Sequence, residues 1–213
     1  MMAAAEPAPD CQLCPRLAAF RRDNRATYPV FHNAPVPSFG GADARLLIVG
    51  LAPGLQGANR TGRPFTGDYA GDLLYKTLID FGFAAGTFKA DPCDGLTLVD
   101  CMITNAVRCV PPQNKPTAQE AATCRAFLTA RMAAQSRLKV IVALGRIAHD
   151  SVLSALALRK VSHAFGHGNQ HELADGRVLI DSYHCSRYNT NTGVLTEPMF
   201  REVFVKVRGC LAT

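Results

Sequence analysis

Residues 50–68 constrain this chain more than any other stretch. They read Gly50-Leu-Ala-Pro-Gly54-Leu-Gln-Gly-Ala-Asn-Arg60-Thr-Gly-Arg63-Pro-Phe65-Thr-Gly-Asp68. An apolar run at 46–49 precedes them, the signature of a short buried strand, and apolar residues at helical spacing begin after Tyr69. The stretch therefore lies at the carboxyl end of a strand, where open α/β sheets bind ligands. Its five glycines and two prolines fix an irregular backbone able to approach a flat or anionic group. Arg60 and Arg63 add positive charge, Phe65 a stacking face, and Asp68 a carboxylate at the helix entrance. A plain connection with Asp68 as helix cap is the alternative. Loops of this length inside compact domains are usually functional.

Three more apolar runs follow, at 96–107 (broken by Asp100, Thr104 and Asn105), 138–144 and 178–183. Helical patterns separate them: 69–81, stopped by Gly82; about 118–135, opened by the capping box Thr117-Ala-Gln-Glu120; and 145–158. A last helix is expected from Thr196-Glu197-Pro198 to about Arg208. This alternation predicts an α/β fold: a single three-layer αβα domain around a central, mainly parallel four-stranded sheet. The expected domain spans 1–213, with a flexible leader over about 1–9. A short basic helix is expected over 16–25, a proline-rich extended segment over 28–37, and a loop and hairpin over 159–176. His163, His167 and His171 in that last segment have metal-like spacing, but its polar, glycine-rich character reads as solvent-exposed.

A content of 48% hydrophobic and 19% charged residues is globular. No run approaches the ~18 apolar residues of a membrane span, and the first residues lack an export signal. A cytoplasmic chain is expected. The net charge of +6 and pI near 9.0 favour a polyanionic partner.

Eight cysteines in such a compartment argue for ligation, catalysis or buried thiols rather than disulfides. Cys11-Gln-Leu-Cys14 is a C-x-x-C pair. Cys109 lies on a proline-rich loop (Pro111, Pro112, Pro116), and Cys124 on the helix which that loop feeds. Four thiolates suit either tetrahedral zinc or a [4Fe–4S] cluster. Cys93, Cys101 and Cys210 read as small buried hydrophobes.

Taken together, three motifs carry a resemblance. They are Gly50-Leu-Ala-Pro-Gly54 with Asn59-Arg-Thr-Gly-Arg-Pro-Phe-Thr-Gly-Asp68; Thr104-Asn-Ala-Val-Arg-Cys109-Val-Pro-Pro; and His184-Cys-Ser-Arg-Tyr-Asn189 with Thr192-Gly-Val-Leu-Thr196. In this order the chain resembles the uracil-DNA glycosylase superfamily, and within it the type 5 (B-type) iron–sulfur enzymes. The resemblance implies a structural [4Fe–4S] cluster held by Cys11, Cys14, Cys109 and Cys124, and excision of deaminated bases from DNA. It matches Asn105 and Phe65 to residues that read and stack the flipped base, His184 to the histidine opposite the leaving base, and Asp68 to the acid that helps activate water. Leu51 stands where glutamate-bearing relatives carry an acid, and Cys185 where proline usually follows the histidine.

The chemistry is consistent with those roles. A base must leave the stack to be hydrolysed, and Phe65 offers it a stacking face. The segment Leu51, Ala52, Pro53, Gly54 meets its polar edges. Cleavage leaves positive charge on the sugar and negative charge on the base, for which Asp68 and His184 are suited, with Asn105 orienting. Ser186, Arg187, Tyr188 and Asn189 form the loop that, by resemblance, fills the gap in the DNA. Arg60, Arg63, Arg108 and Lys115 are expected phosphate contacts. The sequence thus points to a monofunctional glycosylase acting on uracil, and on hypoxanthine or xanthine as a further expectation. A monomer, nucleoid-associated through its DNA, is expected. The rival readings are an iron–sulfur nucleic-acid-binding module without hydrolysis and a hydrolase of free nucleotides.

Overall fold

The computed structural model describes residues 5–212. Along the chain run α1 (Pro15–Thr27), β1 (Phe39–Gly40), β2 (Leu46–Gly50), α2 (Ala58–Thr61), α3 (Tyr69–Asp80), β3 (Ala84–Ala85), β4 (Thr97–Leu98) and β5 (Cys101–Asn105). After these come α4 (Ala118–Ala134), β6 (Val140–Leu144), α5 (Arg146–Ala155), β7 (Gln170–Glu172), β8 (Val178–Ser182), α6 (Arg187–Asn191) and α7 (Glu197–Ala212). The capping box of α4 closes as its sequence predicts: Thr117 Oγ1 accepts from the Glu120 amide and Glu120 from the Thr117 amide.

The four expected strands pair in parallel in the order β5-β2-β6-β8. Two short antiparallel strands extend them, β1 beside β5 and β7 beside β8, so the sheet has six strands. Every residue of β2, β5 and β6 is buried, as a sheet covered on both faces requires. Leu46 and Ile48 pack with Leu74, Leu78, Phe200 and Phe204, on the face carrying α3 and α7. Leu47 and Val49 turn to Leu128, Met132, Ala148 and Val152, on the face carrying α4 and α5. The period-two alternation of β2 thus divides its side chains between two apolar layers.

From β2 the chain goes by α3 to β5 on one side, then by α4 to β6 on the other. The strand order reverses at β2, and Gly50 there stands opposite Asn105 on β5. Residues 50–68 consequently begin at the switch point of the sheet, the general position of ligand crevices in open α/β folds.

Two expectations about elements are corrected. The run 96–107 is not one strand: Asp100 has φ +50°, and the chain turns there between β4, which pairs with β3, and β5. Asp100 is held in that turn by accepting from the backbone N and Nε of Arg45. Of the expected leader, residues 1–4 lie outside the described residues. Glu6 accepts from Arg108 at 2.7 Å and from Arg131 at 2.6 Å. The last helix continues past Arg208 to Ala212.

Candidate active site

Gly50 ends β2 without a side chain, and the space it leaves is used. A Cβ there would lie 2.4 Å from Asn105 Oδ1 and 2.6 Å from Phe65 Cζ. Asn105 and Phe65 thus converge over this residue, and a bulkier one would push them apart. Phe65 holds φ +51°, a strained backbone for an aromatic residue and of the kind that clusters at ligand sites. Its ring lies against that of His184, centroids 6.0 Å apart at 28°. Asp68, immediately before α3, fills the hollow over Gly57, where a Cβ would come within 2.2 Å of Oδ2.

These residues enclose a slot of about 40 Å³ lined by Ala52, Pro53, Gly54, Phe65, Asp68, Asn105 and His184. Beside it lies a groove of about 510 Å³, lined among others by Leu51, Gln56, Asn114, Ser186 and Arg187. Asp68 and His184 border both.

The electrostatics of the slot follow from dryness. Burial raises the Asp68 pKa, with the amides of Gly71 and Ala70 pulling the other way, and its Oδ1 has no hydrogen-bond partner. Burial lowers His184 to about 4, so the ring is neutral at neutral pH. Asn105 is 3% exposed and its Oδ1 also lacks a partner. Two orphaned acceptors in one slot mark a place where a donor is missing.

The surface residues divide. Arg187 and Tyr188 project from α6, with Tyr188 73% exposed and Arg187 5.3 Å above the Tyr69 ring. Arg60 and Lys115 are exposed. Arg63 is not a surface cation: it is buried among Phe39, Tyr75 and Phe88 and forks onto the buried Asp94, both contacts 2.8 Å. Arg108 is likewise buried, donating to Glu6, Ser38 and the Val36 carbonyl. Both guanidinium groups are buried and donate inside the protein, which corrects their reading as phosphate contacts. Ser186 caps α6 by accepting from the Asn189 amide. The Asn189 side chain donates to the His184 carbonyl at 2.9 Å, so it holds the histidine turn instead of facing outward. Cys185, where proline was expected, is fully buried and reaches the Ala70 carbonyl at 3.5 Å; packing restrains the turn there. Tyr69, Gln56 and Asn114 were not singled out from sequence, because only the fold brings them to this groove.

Cys11, Cys14, Cys109 and Cys124 gather around one small cavity with Leu17 and Val107. Arg21, 2% exposed, donates to Cys109 Sγ at 3.5 Å and to the Cys11 carbonyl at 2.8 Å. Burial pushes the Cys14, Cys109 and Cys124 thiols up to about 11. Among the described residues, a trio of metal-capable side chains whose ligand atoms all lie within 4.8 Å of one another is His149, His171 and Asp181. Of the remaining thiols Cys101 is buried as expected, but Cys93 is exposed and Cys210 only half-buried.

Most of 159–176 is exposed as expected, but His163, His167 and His171 are half-buried, which corrects the exposed reading of those three. His171 Nε2 donates to Asp181 Oδ2 at 3.0 Å, and Asp181 is fully buried. His149 presents Nδ1 to Asp181 at 2.6 Å and Nε2 to the His163 carbonyl at 2.8 Å. Both ring nitrogens face oxygens, so the ring satisfies both as an imidazolium. Burial opposes that charge, but Asp181 outweighs it and holds the His149 pKa above its ordinary value.

The sheet, slot and groove define an α/β protein with an enclosed slot and an open groove at its switch point. The chain belongs to the uracil DNA glycosylase superfamily, whose family model matches residues 37–208. It is 44% identical over 203 residues to a type-5 uracil-DNA glycosylase of Thermus thermophilus, covering 93% of this chain and 92% of the relative. A type-5 enzyme of Pyrobaculum aerophilum is 38% identical over 209 residues, covering 95% and 91%. A type-4 uracil-DNA glycosylase of Thermotoga maritima is 34% identical over 148 residues, covering 69% and 67%.

Proposed function

We propose that this protein is a monofunctional DNA glycosylase that hydrolyses the N-glycosidic bond of uracil in DNA, leaving an abasic site. The observation that carries the reading is the buried, unpartnered Oδ1 of Asn105 facing a slot walled by Phe65, His184 and Asp68. Uracil supplies an imide N–H for that oxygen and a flat face for Phe65. An extruded nucleotide costs a few kcal/mol of unstacking, and stacking on an aromatic ring returns ~1–3 kcal/mol.

As the glycosidic bond breaks, its electron pair leaves with the base. The neutral His184 ring donates a hydrogen bond to the developing anion. Ionised Asp68 stabilises the cationic sugar, and a water beside it adds its oxygen to C1′ and passes its proton to the carboxylate. Burial raises the Asp68 pKa, which strengthens it as a base for that transfer. No lysine lines the slot, consistent with hydrolysis without strand cleavage.

Cys11, Cys14, Cys109 and Cys124 would hold a [4Fe–4S] cluster. Bound there, the cluster would supply a rigid covalent anchor between the start of α1, the loop after β5, and α4. The expected metal content is about four irons per chain.

The test is base release from oligonucleotides carrying one uracil, single- and double-stranded, followed by hypoxanthine and xanthine. Release with the backbone intact until alkali treatment is the expected result. Tight DNA binding by iron-loaded protein with no release would overturn the reading in favour of a binding module. Hypoxanthine or xanthine release would widen the substrate range, as the absence of an acid at Leu51 suggests.

A further inference from the structure

Between Cys109 and α4 the chain makes a turn that neither the slot nor the cysteine centre requires. Residues Pro112–Asn114 form a single 3-10 turn, bracketed by Pro111 and Pro116. Gln113 has φ +55° and Asn114 φ +56°. Two successive non-glycine residues in the left-handed region are uncommon, and a long side chain such as glutamine is poorly suited to it. The backbone is nevertheless held, with Asn114 N donating to the Pro111 carbonyl and Lys115 N to that of Pro112. Such strain persists only where surrounding structure fixes it, and it concentrates at ligand clamps.

The side chains are not what holds the turn. Gln113 and Asn114 are exposed, and among the described residues neither carboxamide has a hydrogen-bond partner. Asn114 lines the same groove as His184, Ser186 and Arg187. The two walls come from different directions: Asn114 follows β5, on one side of β2, whereas Ser186 and Arg187 follow β8, beyond β6 on the other. The turn therefore faces the strand entering the slot from the side opposite α6.

We propose that Asn114, supported by Gln113, reads the edge of the base next to the extruded nucleotide, giving the enzyme a preference for sequence context. The inference rests on the glycosylase reading above. A carboxamide both donates and accepts, which matches base edges, where such side chains bond in pairs. Phosphate oxygens only accept, and the exposed Lys115 next in the chain suits them better.

Asn114→Gly provides a clean test, because glycine keeps the left-handed backbone while deleting the amide. Iron-loaded wild-type and variant are titrated against single-stranded oligonucleotides holding a stable abasic analogue, with each of the four bases placed on either side. Binding needs no turnover, so this result stands apart from the glycosylase reading, which base release on matching uracil oligonucleotides tests in parallel. Wild-type affinity should differ by about fivefold or more between best and worst neighbour, and the variant should narrow this to about twofold. Gln113→Gly should narrow it less. An unchanged spread in Asn114→Gly, an equal loss of affinity for all neighbours, or a wild-type protein without context preference would each overturn the proposal. Unchanged melting temperature and iron content confirm that the turn still folds.

Discussion

A carboxyl and an imidazole on the same slot are pushed by burial in opposite pKa directions: the shift of His184 keeps its ring neutral, while that of Asp68 makes the carboxylate a stronger base and narrows the pH range over which it is ionised. Asp68 is held above its ordinary value and His184 falls to about 4. The proposed mechanism requires ionised Asp68 and neutral His184, so base release should be lost in acid as both take up a proton, His184 near about 4. Measured kcat/KM against pH should show that acid limb. Asp68→Asn should remove the carboxyl's share of it and cut turnover by ~10²–10⁴; near-normal turnover would refute the role of Asp68. Asn105→Ala should weaken productive binding of the base without altering the limb.

At the scale of elements, two buried ion pairs fasten pieces that sequence spacing does not connect. Arg63 and Asp94 join the glycine loop to the segment before β4, with side chains 5% and 0% exposed. Arg63→Met leaves Asp94 charged and unpaired in the interior, and breaking such a pair costs ~3–5 kcal/mol. Urea unfolding should show a loss of that order, while the salt dependence of DNA binding should stay as in wild type. Arg187→Ala should do the reverse, lowering the slope of log affinity against log salt by about 1 with little change in stability. The second pair, His149 with Asp181, ties α5 to β8 near the turn that carries His184. Its folded-state pKa is raised against burial, with Asp181, Asp150 and the His163 carbonyl favouring the charge. The stabilisation is thus full below the unfolded value near ~6.5 and fades as pH rises through the folded value. The stability gap between wild type and His149→Gln should be largest in mildly acidic solution and shrink toward alkaline pH; a gap that grows with pH would show the ring to be neutral.

For the whole molecule, the organising fact is that one switch point gathers residues from four parts of the chain. The net charge of +6 favours a polyanion, but two of the expected contact arginines are interior, so the proposed DNA contact is left to exposed cations such as Arg60, Lys115 and Arg187. The cysteine centre lies where α1, the loop after β5, and α4 meet. Cys124→Ser should lower iron to well below about four per chain and reduce the melting temperature through loss of that anchor. Full iron retention would remove Cys124 from the ligand set.

Much of this was legible in the sequence. Continuous apolar runs identified the parallel strands because a strand buried on both faces needs no polar alternation. The glycine loop at Gly50 identified the position of the slot, and Thr117 with Glu120 identified the start of α4, because these signals are local. The split at Asp100, the two edge strands and the docking of Glu6 on Arg108 were not legible, since each depends on partners far away in sequence. The same holds at the site. Sequence named Asp68, Asn105, His184 and Phe65 through their motifs, but it gave Arg63 and Arg108 the same weight as Arg60. A cation's role is decided by whether an acid waits for it inside the fold, and Asp94 lies 31 residues from Arg63 while Glu6 lies 102 from Arg108. Residue types and local backbone preference determined the class of fold and the position of the slot; only tertiary packing decided which charges face solvent and which hold the protein together, because burial and pairing are properties of contacts between distant segments.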